Sequence, residues 1–298
     1  VLFLALLFSS CKKREGVYQP KKRISEIYIQ EDGTKELLEK WTWSDKKLSK
    51  ITAVEGSYSD GYSWSFQYND KDQIEKIIHS EGDYYVFSYD NNFITKIALY
   101  TVDGVLVETY ECEHTKKKIT TVTNTYYGYE SEYKYKSLPL TDQSKTTALC
   151  CFLPKPVINS LSNKYKKQIP IRKNGVEFID VYQYTWDGDN IKSMFYSSEE
   201  YTIECTYKYD KKNNPFYHSF LQQEISNANI GTYTNYWTWN ILHPKNNIIH
   251  EDILLGDGRR YETSYDITYE GKFPTEVRIS AKDIEEILSI GIYFYTYN

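Results

Sequence analysis

Two tryptophan pairs, Trp41-x-Trp43 and Trp237-x-Trp239, carry the clearest chemical potential in this chain. On a strand, residues two apart point to the same face, so each pair presents a double aromatic surface. Such a surface stacks on the apolar face of a pyranose ring, and Trp41, Trp43, Trp237 and Trp239 are the candidate ligand-binding residues. The competing reading makes them core residues that bury large area and stabilise a sheet. Carboxylates are plentiful, with 41 Asp and Glu in all, including Glu199-Glu200 and Glu285-Glu286. A glycosidase needs two carboxyls a set distance apart across a sugar, but so many acids make chance pairs cheap, and no catalytic residue is assigned. The five histidines, His79, His114, His218, His243 and His250, lack metal-ligand spacing apart from the weak His250-Glu251-Asp252. No CxxC pair, HExxH, GxSxG elbow or Gly-rich phosphate loop is present. Neither a metal nor a cofactor is expected.

Cys11 has a different chemistry. The run before it, Val1 to Ser10, is apolar and uncharged. It falls short of the roughly 20 apolar residues a spanning helix needs, and it matches the about 7–15 residue core of a secretion signal. With no initiator Met or basic segment ahead of it, residues 1–10 read as a signal peptide clipped at its start. Ser9-Ser10-Cys11 resembles a lipobox, with Phe8 where the commonest pattern has Leu. The resemblance implies cleavage before Cys11, acylation of its thiol and membrane attachment through the lipid. Residues 11–23 read as a tether, with Lys12, Lys13 and Arg14 as a hydrophilic spacer. Export makes disulfides possible. For Cys112, Cys150, Cys151 and Cys205 both a Cys112–Cys205 bridge and buried free thiols stay open.

The elements that position these residues are legible in the composition. The 298 residues include 31 Tyr, 12 Phe and a single Met, and aromatics suit the pleated, half-buried surface of a sheet. The class is all-β. A net charge of −5 from 36 basic and 41 acidic residues gives no concentrated basic face for nucleic acid. A mean hydropathy of −0.63 argues against a helical membrane protein beyond residue 11.

A repeat organises the chain. Trp41-x-Trp43 is followed by Leu48 and Ile51, Phe66-x-Tyr68 by Ile74 and Ile77, and Phe87-x-Tyr89 by Ile94 and Ile97. Tyr184-x-Trp186 precedes Ile191 and Met194, and Ile267-x-Tyr269 precedes Phe273 and Val277. Alternation such as Tyr62, Trp64, Phe66, Tyr68 against Ser63, Ser65, Gln67 marks a half-buried strand. Polar turns follow, and Asp-Gly pairs at Asp32, Asp60, Asp103, Asp187 and Asp257 suit type I′ hairpins. Further pairs at Tyr133-x-Tyr135, Tyr207-x-Tyr209, Trp237-x-Trp239 and Tyr295-x-Tyr297 extend the count to sixteen or more strands. Residues 24–298 therefore form one domain of repeated antiparallel hairpins, closed or strongly curved. An irregular, proline-framed insert at about 138–170 interrupts the rhythm and reads as a cap or plug.

The [Phe/Tyr]-x-Tyr-Asp…Ile-x-x-Ile unit resembles the YD (Rhs-type) repeat of curling hairpin sheets. The closer resemblance is to a Bacteroidetes family of lipoproteins of unknown function with a porin-like fold. It is carried by Cys11, the hairpins, Tyr207-Lys-Tyr-Asp-Lys-Lys-Asn-Asn-Pro-Phe-Tyr217, His243-Pro-Lys-Asn-Asn-Ile248 and Tyr269-Glu-Gly-Lys-Phe-Pro-Thr-Glu-Val277. The family implies a barrel layout and an envelope location, most simply the outer membrane, and brings no activity. A transmembrane barrel shows lipid an apolar band with aromatics in girdles. Here the aromatics run down the strand centres, so a water-soluble barrel or curved sheet is expected. The functional expectation is a non-enzymatic envelope lipoprotein that binds or scaffolds, with a polysaccharide or an envelope protein as partner. The alternative is a glycan-acting hydrolase.

Overall fold

The computed structural model describes residues 14–31, 33–54, 61–127, 177–199, 202–219, 223–225, 238–240, 242–282 and 287–298. The first half of the chain forms β1 (Ile24–Glu31), β2 (Thr34–Ser44), β3 (Lys47–Ala53), β4 (Ser63–Tyr68), β5 (Ile74–His79), β6 (Tyr84–Asp90), β7 (Phe93–Tyr100), β8 (Leu106–Thr115) and β9 (Lys118–Tyr127). The second half forms β10 (Glu177–Asp187), β11 (Asn190–Ser197), β12 (Thr202–Tyr209), β15 (Ile248–Leu255), β16 (Arg260–Glu270), β17 (Phe273–Lys282) and β18 (Ile287–Tyr297). Between β12 and β15 the chain makes a small separate sheet of β13 (Gln223–Ile225) and β14 (Thr238–Asn240).

The large sheet closes. Each strand pairs antiparallel with its neighbours, and β1 meets β18 through pairs such as Ile29↔Tyr293, giving a sixteen-stranded up-and-down barrel. Closure leaves no free sheet edge. The lower end carries the start of β1, the C-terminal Asn298, the β2–β3, β6–β7 and β8–β9 turns, and the β12–β15 connection. The upper end carries the β1–β2, β5–β6, β7–β8 and β15–β16 turns. The insert at 138–170 lies outside the described residues.

The Ile-x-x-Ile spacing has the wrong parity for a plain strand, in which inward residues fall two apart. The structure resolves this with a bulge repeated at one height. Thr42↔Lys50 is followed by Trp43↔Leu48, leaving Ser49 extra on β3. The same shift occurs at Gln67/Tyr68, Ser88/Tyr89, Glu113/His114, Thr185/Trp186, Lys208/Tyr209 and Thr268/Tyr269. One extra residue per hairpin turns both apolar residues inward and adds local twist, which helps the sheet curl shut. Leu48, Ile51, Ile74, Ile94, Ile97, Ile191 and Met194 are all buried as a result.

The turns differ from the type I′ expectation. Asp103, Asp187 and Asp257 do not take positive φ; only the glycine after each does. At the upper end, Gly104 N–H bonds Thr101 C=O while Thr101 N–H bonds Val105 C=O, and residues 255–259 repeat the pattern. These are three-residue loops in which glycine fills the left-handed position. Both central residues have positive φ at Lys116 (52°) and Lys117 (65°) of the β8–β9 turn, which therefore takes the I′ geometry.

Side chains fill the barrel. Buried residues from all around it, including Ile29, Ile51, Trp64, Tyr110, Tyr182, Met194, Ile253 and Tyr293, join one core cluster. The outer wall is mainly polar: Lys40, Thr42, Ser65, Gln67, Glu111, Glu113, Glu204, Lys208, Ser264 and Asp266 are exposed, with Ile179, Phe195, Ile249 and Leu254 as exposed apolar residues on β10, β11 and β15. This reverses the inside–outside polarity of a lipid-facing barrel.

Candidate functional site at the two ends of the barrel

The lower end is built by the second aromatic of each repeat. Trp43 Nε1–H donates to Ile24 C=O, Tyr68 Oη–H to Leu48, Tyr89 Oη–H to Ile74, Trp186 Nε1–H to Ile119, Tyr209 Oη–H to Ile191 and Tyr297 Oη–H to Pro274. These distances lie between 2.5 and 2.8 Å. Each acceptor is at the start of the neighbouring, preceding strand, so every latch ties two strands beside the bulge. In β8 and β16 a carboxylate takes the carbonyl's place. His114 Nε2 lies 3.0 Å from Glu15 Oε2, and Tyr269 Oη–H donates to Asp210 Oδ2. Burial pushes the Tyr68 and Tyr89 hydroxyls well above the ordinary tyrosine range, with the nearby Glu15 charge adding to it at Tyr89.

Of the segment read as a tether, the described residues 14–23 are built into this end. Glu15 N–H bonds Asn92 C=O, and Glu15 Oε2 accepts Ile94 N–H at 2.8 Å. Gln73 Nε2–H donates to Glu15 C=O, and Ile74 N–H to Gly16 C=O. Gly16 holds φ +75°, and a Cβ there would come within 2.1 Å of Tyr89 Oη, itself latched. Tyr18 is 1% exposed; it packs on Trp41 and Trp43 and donates to Pro215 C=O at 2.7 Å. From the β12–β15 connection, Phe216 packs on Trp41, His243 and Tyr295. The described chain thus emerges at the lower end at Arg14, which is exposed and donates to Lys71 C=O.

This disposes of one tryptophan pair as an exposed face. Trp41 is 4% exposed, with Nε1–H donated to Glu39 Oε2 at 2.6 Å, and Trp43 is half-buried in its latch. They are core residues of the plugged end. Trp237 lies outside the described residues, and Trp239 is placed only by its backbone, opposite Glu224 in the small sheet. Trp239 thus lies in a different sheet from Trp41 and Trp43.

The upper half of the interior is polar, which sequence reading missed. Glu39 on β2, Trp64 on β4, His79 on β5, Tyr85 on β6, Glu108 on β8 and Asn124 on β9 are all buried. Pairings Glu39↔Ala53, Trp64↔His79 and Tyr110↔Asn124 set them at similar heights around one side of the barrel. Asn124 Nδ2–H donates to Glu108 Oε1 at 2.9 Å. Among the described residues Glu39 Oε1, Trp64 Nε1, His79 Nε2 and Tyr85 Oη find no hydrogen-bond partner. Burial pushes the Glu39 carboxyl up to about 8 and lowers His79, so both are neutral over much of the physiological range. Across the barrel, burial pushes Glu251 up to about 7 against the opposing effect of Tyr265 Oη–H, which donates to it at 2.7 Å. The signal for this layer was present as polar residues interrupting the inward register. It could not be read until the bulges had fixed which register was inward.

The remaining expected features fall out simply. Cys112 and Cys205 are separate buried thiols, each pushed up by desolvation. Cys11, Cys150, Cys151, Glu200, Glu285 and Glu286 lie outside the described residues, and Glu199 is in an exposed turn. No group of three or more metal-ligating side chains occurs among the described residues.

No protein-family model matches the chain, and no curated protein matches it. Solved structures do. A porin-like protein from Bacteroides uniformis superposes with a TM-score of 0.52 at 11% identity, covering 95% of this chain and 100% of that one. A porin-like protein from Bacteroides vulgatus gives a TM-score of 0.44 at 9% identity, covering 93% of this chain and 99% of that one. At these identities the likeness is one of fold, and the porin-like barrel that the family resemblance implied is the fold observed.

Proposed function

We propose that this chain is a non-enzymatic protein of the cell envelope, anchored by acyl chains on Cys11. In this reading it is a water-facing, filled barrel that binds or scaffolds instead of conducting. The observation that carries it is the reversed polarity of the wall: aromatic and aliphatic side chains pack the inside while polar and charged residues predominate on the outside. A lipid-spanning barrel with charges on its outer face would be destabilised strand by strand. The carboxyls whose protons are held unusually tightly, Glu39 and Glu251, are sealed in the core, where no substrate oxygen reaches them. That favours the non-enzymatic reading over a glycan-acting hydrolase. A polysaccharide or another envelope protein is the proposed partner, with Trp237 and Trp239 the remaining aromatic candidates.

The test replaces Cys11 with Ala in the exported chain and fractionates the cells. A soluble, folded protein is the expected result; retention in the membrane pellet after an alkaline wash would favour a spanning barrel. Affinity electrophoresis of the lipid-free chain through gels containing dissolved polysaccharides then tests the partner. Retardation that is lost on Trp237→Ala and Trp239→Ala, with the fold intact, would support the glycan; unchanged mobility in every gel would favour a protein partner.

A further inference from the structure

Among the described residues the two ends of the barrel differ in exposed charge. At the lower end the turns expose Lys46, Lys71, Lys116, Lys117, Lys211 and Lys272. Arg14 and Lys21 are exposed beside them, where the N-terminal segment leaves the barrel. Carboxylates occur here too: Asp45, Asp70, Asp90 and Asp187 are exposed at these turns, Asp72, Asp189 and Glu270 are engaged by Lys47, Lys118 and Lys22, and Glu15 and Asp210 are held by the hydrogen bonds of the plug. At the upper end the exposed charged residues among those described are Glu81, Asp83, Asp103 and Glu199 with Lys35, while Arg259 and Arg260 are tied to Asp257 and Asp252. In a chain of net charge −5, the described residues of the lower rim thus carry an excess of exposed cations.

One turn shows that the lysines are retained at a cost. Lys116 and Lys117 both hold positive φ, 52° and 65°. That region is unfavourable for residues with a Cβ, and a two-residue I′ turn is best served by Asn-Gly. The alternatives would form the turn more easily and would lose two charges.

We propose that the lower rim is an anionic-membrane docking surface, on which the barrel stands end-on with its upper end directed away from the bilayer. The partner is the headgroup layer of a membrane rich in anionic lipid. Surface charge is screened over about 8 Å at physiological salt, so only the face turned toward the membrane contributes. A molecule of overall negative charge is attracted only when it presents this rim. The proposal rests on the anchored reading for its setting, since Cys11 immediately precedes the segment that emerges there. The lysines then fix an orientation that a flexible lipid tether alone would leave free.

The experiment uses the lipid-free chain from Lys12 to Asn298, so its outcome is independent of whether Cys11 is acylated. Cosedimentation is measured with vesicles of phosphatidylethanolamine and phosphatidylglycerol, against vesicles of phosphatidylcholine alone. Binding to the anionic vesicles only, weakening as salt rises, is expected. The double variant Lys116→Asn, Lys117→Gly should unfold at a higher temperature than the parent while binding the vesicles more than about tenfold less tightly, at about fivefold per lysine near the surface. The control Lys40→Asn, Lys50→Asn removes the same charge from the exposed outer wall and should leave binding within twofold. Equal loss in both variants would mean that net charge, not the rim, governs binding. That result, or no preference for anionic vesicles, would overturn the proposal.

Discussion

The two halves of the barrel interior handle buried polarity in opposite ways. In the lower half a latch recurs: in six repeats an aromatic N–H or O–H finds a carbonyl at the start of the preceding strand, with Tyr207 Oη an exception among the described residues. In the upper half, Glu39, Trp64, His79 and Tyr85 keep atoms without partners among the described residues. An unpartnered buried polar group costs about 1–3 kcal/mol, whereas a made hydrogen bond contributes only about 1. The lower half is therefore the part that holds the barrel together, and the upper half carries a local deficit. The repeat explains the asymmetry, because latch, bulge and turn recur together and a sequence that keeps one keeps the others.

The plug should give the largest effect. Tyr18→Ala removes a fully buried ring wedged against Trp41 and Trp43 together with its bond to Pro215, and large-to-small changes of this kind cost about 3–5 kcal/mol. Urea unfolding should show a loss in that range, with the earliest hydrogen exchange at the amides of Ile74 and Ile94 that the segment covers. A loss below about 1 kcal/mol would mean that the barrel closes without its N-terminal segment, and the lower half would lose its claim to be the stable one. Gly16→Ala should act through the same element, since any Cβ there displaces the Tyr89 latch.

The upper half should reveal itself by pH. Glu39 titrates near 4.5 when unfolded and holds its proton to about 8 when folded. Between those values the folded state binds more protons than the unfolded one. Stability therefore falls as pH rises from about 4.5 to 8 and levels off above, by a few kcal/mol in all. Glu251, at about 7, adds to the same slope over a narrower window. Glu39→Gln keeps the acceptor for Trp41 Nε1–H and removes the titration. The variant should match the parent near pH 5 and exceed it at pH 8, and adding Glu251→Gln should flatten the profile further. Parallel profiles for parent and variant would place the pH dependence elsewhere.

How much of this was visible in the sequence follows from the same division. The aromatic pairs and the Ile-x-x-Ile spacing announced antiparallel hairpins because period-two alternation and polar turns are local signals. The resemblance they support led to the right barrel layout. Closure itself was not legible: nothing local links Ile29 to Tyr293, and curvature accumulates from bulges whose extra residues, such as Ser49, Thr95 and Thr275, look like ordinary polar strand positions. The same blindness affected the tryptophans. Trp41 and Trp43 share a face as expected, but whether that face is wet depended on Tyr18 and Phe216, one from a segment read as tether and the other from a remote connection. Glu15 was lost for a related reason, because its partners Ile94 and His114 lie far along the chain.

The finest contrast lies in two hydroxyls on one strand. Tyr85 and Tyr89 both belong to β6, yet Tyr89 Oη–H is 2.5 Å from Ile74 C=O while Tyr85 Oη has no partner among the described residues. Tyr89→Phe leaves the ring packed and strands a carbonyl at the start of β5, so a loss of about 1 kcal/mol is expected. Tyr85→Phe removes an oxygen that burial has already stripped of water, so the change should be neutral or slightly stabilising. The two variants differ from the parent by the same atom on the same strand, which cancels differences in ring packing to first order. Chemical denaturation of both, at a pH well below the tyrosine range, reads the difference directly. If Tyr85→Phe cost as much as Tyr89→Phe, the upper hydroxyl would be partnered in solution. The deficit assigned to the upper half would then shrink to Glu39, Trp64 and His79.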